Sequence, residues 1–154
     1  MLNLLAEFQK NVAEQANAPS APVSGNAPQP IMELSETELE LLSRAVYAEA
    51  RGESYEGQVA VAAVILNRVK DEGFPDTVSG VIYEQGQFAS VRDGQINLIP
   101  DEAAALAALD ALNGSDPSGG ALYFWNPEKA PGNAFLNSLS ILCRIGAHVF
   151  AIEK

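Results

Sequence analysis

The segment YEGQVAVAAVILNRVKDEG, which starts at Tyr55, constrains the fold more than any other. Its valines and isoleucine would suit a strand. Its length and alanines favour a helix, predicted over residues 56–70 and stopped by Gly73 and Pro75. Gly57, near the start, would let another backbone approach closely. So apolar a helix requires a core. A chain of 154 residues that is 47% apolar is large enough to build one in a single domain.

The flanking segments are also mostly helical. LSETELELLSRAVYAEARGE carries Ser35 and, three places on, Glu38, a capping box. Leu39, Leu42, Val46 and Ala50 mark one helical face, and Gly52 ends the helix. PDTVSGVIYE predicts a short third helix. PDEAAALAALDALNG predicts a fourth, with Pro100 in its first turn, Asp101 and Glu102 at its positive end and Gly114 as its stop. GALYFWNP and AHVFAI read as strands. The prediction is a mainly α single domain with a small β element over residues 33–154. Ahead of it, residues 17–32 have the Pro- and Ala-rich composition of a linker. Residues 1–16 are a tail or a short amphipathic helix carried by Leu5, Phe8 and Val12, a candidate docking element for a protein partner.

Composition removes several function classes. A formal net charge of −11 argues against nucleic acid and anionic membranes as partners. One cysteine and one histidine exclude an intrachain disulfide and a Cys/His zinc site. DGQIN lacks the alternating acids of a calcium loop. No metal and no cofactor is implied. No stretch is long enough to span a bilayer as a helix. MLNLLAEFQK lacks the basic start and long apolar run of a secretion signal.

Glu49 is the residue with chemical promise. Each helical residue turns by about 100°. Glu49, seven after Leu42 and three after Val46, therefore lies beside the apolar stripe, while Arg51 points away. A carboxyl at the edge of a buried face loses water. That penalises its charged form and raises its pKa, as suits a general acid. The residues alone leave an alternative, a boundary glutamate that caps a neighbour or pairs with Arg44 or Arg68.

The run RAVYAEARGESYEGQVAVAAVILNRVKDEGFPDTVSGVIYEQGQF is followed by DGQINLIPDEA, ALDALNGSDPSGGALYFWNP and RIGAHVFA. Together they resemble the catalytic domain of the cell-wall hydrolase family that includes the spore-cortex-lytic enzymes of the SleB type. The resemblance runs from about Leu34 to Ile152. It implies a lysozyme-like α+β fold acting on peptidoglycan glycan strands, usually as a lytic transglycosylase. Glu49, the first glutamate of EARGE, is then the catalytic acid. After Pro127 the chain departs from its relatives, and EKAPGNAFLNSLSILCR stands where they carry an aromatic-rich segment.

The implied reaction cleaves the β-1,4 bond between N-acetylmuramic acid and N-acetylglucosamine. Glu49 protonates the glycosidic oxygen. The resulting carboxylate then takes the proton of the muramyl C6 hydroxyl as that oxygen closes a 1,6-anhydro ring. No second carboxylate is required, whereas a hydrolase normally needs one. Candidates for that second acid are Glu53, Glu56, Glu84 and Asp93, with Glu56 preferred because it lies in the family's YEGQ segment; it is equally a candidate to cap or orient the second helix. For sugar binding the candidates are Tyr47, Phe88, Tyr123, Phe124 and Trp125 as stacking faces and Gln87, Asn97 and Asn126 as hydrogen-bonding amides. Tyr123 and Trp125, which share a strand face, are preferred over Phe124. Asn67 and Arg68 are as readily structural. His148 reads as a satisfied structural histidine and Cys143 as a small core residue. Two other functions stay open, a muramidase using water and an inactive glycan-binding or structural component of a larger assembly such as a phage particle. The expected setting is the cell wall, reached by a phage-encoded, virion-associated or otherwise exported chain.

Overall fold

The computed structural model describes residues 29–130 and 132–154. The expectations for residues 1–16, and for the linker as far as residue 28, lie outside them. Ile31 donates its N–H to the Leu112 carbonyl at 2.8 Å, and Met32 and Leu34 pack on the core, so this stretch is joined to the folded body.

Helix α1 spans Glu36–Ala50. The Ser35 hydroxyl caps it, accepting from the Glu38 N–H at 3.1 Å. Leu39, Leu42 and Val46 recur along one face and are fully buried. The chain leaves the helix through Gly52, whose φ of +90° is open to glycine at little cost.

Helix α2 spans Tyr55–Lys70, with Ser54 as cap accepting from the Gly57 N–H at 3.2 Å. The cap comes from Ser54, not Glu56, so the helix starts one residue earlier than predicted. Every residue from Gly57 to Leu66 is buried, which makes α2 the central helix. Its Val59, Ala62, Ile65 and Leu66 pack against α1, α3 (Val78–Ile82) and α5 (Glu102–Leu112). Its opposite side, Ala60, Val61 and Val64, packs with Ala50, Ala121 and Phe150. A Cβ on Gly57 would meet the Glu53 Cβ at 3.4 Å and the Ile145 Cγ2 at 3.6 Å. Side chains, not a second backbone, come close there.

The short α4 spans Ala89–Arg92 and is followed by a 3-10 turn, Gln95–Asn97. Helix α5 is capped by the Asp101 carboxylate, which accepts from the Ala104 N–H at 2.9 Å. Pro100 therefore precedes the cap and does not lie in the first turn as expected.

Three antiparallel strands complete the domain, β1 (Tyr123–Trp125), β2 (Ser140–Ile145) and β3 (His148–Ile152), in the order β1-β3-β2. β1 and β3 fall where the sequence predicts strands. β2 and the preceding α6 (Ala134–Ser138) were not predicted. β2 is an edge strand, half exposed along its length and carrying a bulge between Ile141 and Cys143. It reverses into β3 through Gly146, at φ +58°, and Ala147. The Gly-X spacing between two apolar runs was the available hairpin signal. The mainly helical single domain with a small β element is the architecture observed.

Candidate active site

Glu49 lies in the last turn of α1, at the edge of the core, and lines a cleft of about 500 Å³. The cleft is built from separate parts of the chain. Arg51 and Glu53 come from the loop after α1, and Arg68 from the end of α2. Gln87 and Phe88 lead into α4, which contributes Ser90, and Asp93 and Gln95 follow it. Phe124 and Trp125 of β1 face them with Asn126, Lys129 and Ala130 beyond, and His148 of β3 completes the wall.

The Glu49 carboxylate Oε1 accepts a hydrogen bond from the Ser90 hydroxyl at 3.0 Å. It makes no ion pair with Arg44 or Arg68. Arg44 pairs with Glu40 at 2.8 Å and donates to the Asn97 carbonyl at 2.9 Å. Arg68 donates to the Leu122 carbonyl at 2.7 Å and to the Gln87 side-chain oxygen at 3.1 Å. Burial pushes the Glu49 pKa above its ordinary value, the Ser90 bond pulls it back, and the nearby Asp93 charge raises it further.

Other cleft carboxylates are engaged. Glu53 Oε1 accepts from the Ala147 N–H at 2.9 Å. Asp93 accepts from both the backbone and the side-chain amide of Gln95, each at 3.0 Å. Glu84 lines a neighbouring cleft. Glu56 is exposed in the first turn of α2 and lines neither cleft, because the loop after α1 carries the chain past Glu49 before that helix begins.

The candidate sugar contacts divide. Gln87, Phe88, Phe124, Trp125 and Asn126 share the cleft with Glu49. Phe88 is largely core, with its ring 6.1 Å from that of Phe124. Asn126 shapes the following turn, accepting from the Glu128 N–H at 3.0 Å. Tyr123 lines the neighbouring cleft of about 520 Å³, where its hydroxyl donates to Glu153 at 2.8 Å. Tyr123 and Trp125 thus face different clefts, and Phe124 lines both. Tyr47 lines neither cleft. It sits two residues before Glu49, about 200° round the helix, and packs on the core with the Arg51 guanidinium 4.9 Å from its ring centre. Asn97 also lies outside both clefts.

Two expectations change. Arg51 does not point away. The helix ends at Ala50, so the helical count no longer applies, and the Arg51 guanidinium enters the cleft and bonds the Gln95 side chain. His148 is buried in β3, yet its Nδ1 has no hydrogen-bond partner among the described residues, so it is not a satisfied structural histidine. The segment after Pro127 still supplies walls, with Lys129 and Ala130 in the Glu49 cleft and Phe135 and Leu136 in its neighbour. Ser90 carried no signal in sequence, because its role exists only where α4 meets α1. Asn67 is structural, donating to Asp116 and to the Ala121 carbonyl, both at 3.0 Å. Cys143 is half buried against the group of Ala60, Val61, Val64, Ala121 and Phe150. Among the described residues, no cluster of acids, histidine and cysteine could hold a metal, and no helix is long and apolar enough to cross a membrane.

The sequence model of one family, Cell Wall Hydrolase, matches residues 52–151. The spore cortex-lytic enzyme of Halalkalibacterium halodurans is 56% identical over 116 residues, which cover 75% of this chain and 35% of that one. The spore cortex-lytic enzyme of Bacillus subtilis is 47% identical over 148 residues, 96% of this chain and 44% of its own. The chain thus spans less than half the length of the curated relatives it matches. Two solved structures are similar. The catalytic domain of the Bacillus cereus SleB protein has a TM-score of 0.73 and 48% identity, covering 83% of this chain and 98% of that one. The catalytic domain of the germination-specific lytic transglycosylase SleB from Bacillus anthracis has a TM-score of 0.70 and 46% identity, covering 85% and 99%. The lysozyme-like α+β fold is shared with these domains. By sequence along most of its length, and by fold, the chain belongs to the cell wall hydrolase family.

Proposed function

We propose that this chain cleaves peptidoglycan glycan strands between N-acetylmuramic acid and N-acetylglucosamine, as a lytic transglycosylase with Glu49 as acid and then base. The observation that carries this reading is the state of Glu49. It is half buried in a cleft, bonded to one hydroxyl, paired with no cation, and held above its ordinary pKa by burial. A pKa raised in this way favours the protonated form, the form that can hand a proton to a glycosidic oxygen. The carboxylate left behind accepts the C6 hydroxyl proton as the anhydro ring closes.

Two further features support the substrate class. The cleft mixes aromatic faces, Phe124 and Trp125, with amides, Gln87, Gln95 and Asn126, which suits a neutral sugar. Arg68, Gln87 and Phe124 line both clefts, so the two lie side by side and together offer room for more than one ring. The cell wall is the setting this chemistry requires.

A second reading, hydrolysis by water, draws on one observation. Asp93 lines the same cleft and acts on the Glu49 charge. The anhydro route is favoured because Asp93 and Glu53 are already held by N–H donors. Mass analysis of muropeptides released from purified peptidoglycan tests both readings. Anhydro ends are expected. Ordinary reducing ends would shift the assignment to Asp93-assisted hydrolysis, and no release would remove the catalytic reading.

A further inference from the structure

His148 is the only histidine in the chain and lies at the start of β3 on the wall of the Glu49 cleft. It is 7% exposed. Its ring stands edge-on to Phe124 at 5.4 Å and to Phe150 at 6.3 Å, apolar neighbours that offer its nitrogens nothing. Nδ1 is buried without a hydrogen-bond partner among the described residues. Folded proteins rarely leave such a group unpaired without a functional reason.

The nearest counterpart is Glu53 Oε1, 3.4 Å from Nδ1 but out of line for a hydrogen bond. Glu53 is firmly held. Its carboxylate accepts from the Ala147 N–H at 2.9 Å, and its backbone carbonyl accepts from the Gln58 amide at 3.2 Å. A small turn of the imidazole would align the pair.

We propose that His148 contacts the substrate: Glu53 holds the imidazole proton on Nδ1, and Nε2 accepts a hydrogen bond from a hydroxyl or amide N–H of the glycan bound beside Glu49. This rests on the peptidoglycan-cleaving reading of the cleft. A carboxylate beside one ring nitrogen selects the tautomer protonated there, and the other nitrogen is left as an acceptor. Glu53 is thus a positioning residue, acting through His148. Burial, rather than the charges around it, favours the neutral ring. Burial lowers its pKa, the Glu53 charge raises it and Lys129, from the segment after β1, lowers it. Glu49, Arg51, Arg68 and Asp93 are the other charged groups on the cleft walls. Only the neutral ring can accept, so glycan binding weakens as His148 gains a second proton in acid.

With one histidine in the chain, the imidazole gives a single set of signals in long-range nitrogen–proton NMR correlation. The sample is the Glu49→Gln protein, which binds without cutting, titrated with soluble glycan strands from purified peptidoglycan. The Nδ1–H tautomer is expected in the free protein, with a shift of the Nε2 resonance on saturation. Glu53→Gln should erode the tautomer preference. In the active protein His148→Ala should raise KM about tenfold with a smaller change in kcat, and His148→Gln should restore part of it. An Nε2–H tautomer, or strand binding that leaves Nε2 unmoved, overturns the proposal alone. If Glu49→Gln binds no strands and the unaltered protein releases no fragments, the functional reading falls and takes this contact with it.

Discussion

The Ser90 hydroxyl donates to Glu49 Oε1 at 3.0 Å and ties the last turn of α1 to a four-residue helix 41 positions further along the chain. The bond favours the charged carboxylate, whereas burial and the Asp93 charge favour the protonated acid. Glu49 therefore sits under opposed influences that can be removed one at a time.

Removing them should move the pH dependence in opposite directions. Cleavage needs protonated Glu49, so activity falls as pH rises through its pKa. Ser90→Ala deletes the bond that lowers that pKa and should carry the fall to higher pH. Asp93→Asn deletes a charge that raises it and should carry the fall to lower pH. Rates of release from purified peptidoglycan across pH check both. A shift of the same sign in the two variants would remove Glu49 as the titrating group.

Glu49→Gln should lower the rate by about 10²–10⁴-fold, the usual worth of a general acid, and should also change stability. The folded pKa of Glu49 lies above the unfolded value of 4.5. Below 4.5 both states hold the proton and the wild type bears no charge penalty. As pH rises through the folded pKa, the folded state must carry a poorly hydrated charge and loses stability. The glutamine variant is spared this. It should be more stable than wild type at neutral pH, and the difference should shrink on acidification to below 4.5. Denaturant unfolding at the two pH values measures it.

Gly146→Ala should destabilise the β2–β3 hairpin. Its φ of +58° costs an alanine about 1–2 kcal/mol. The added Cβ would also lie 2.8 Å from Glu53 Oε1, the oxygen that holds the Ala147 N–H. In a Glu53→Ala background the steric part should vanish and the backbone part remain. A double-mutant cycle by denaturant unfolding separates them.

Arg68→Lys should cost about 2 kcal/mol, the loss of charged hydrogen bonds that a single ammonium cannot remake. Arg68 is 5% exposed, bonds both the Leu122 carbonyl and Gln87, and lies 4.8 Å from the Phe74 ring centre and 5.3 Å from that of Tyr123. Because Gln87 would be released into the clefts, glycan binding should weaken along with thermal stability.

The sequence by itself determined helices α1, α2, α3 and α5 and the place of Glu49 beside the core. Capping by Ser35 and Asp101 acts within three residues, and the spacing of Leu39, Leu42 and Val46 orients α1 without reference to the rest of the chain. The apolar run of α2 likewise announced a buried helix. Tertiary structure alone decided what surrounds Glu49. Arg51 turns into the cleft because the helix ends before it, and Ser90 arrives from a helix too short to declare itself. β2 forms only because β3 is there to pair with, and the hairpin it makes brings the Ala147 N–H to Glu53 and leaves His148 beside that carboxylate. Helical signals are local and repeat every turn, whereas a cleft is a meeting of distant segments, and no local pattern records which side chains will meet there.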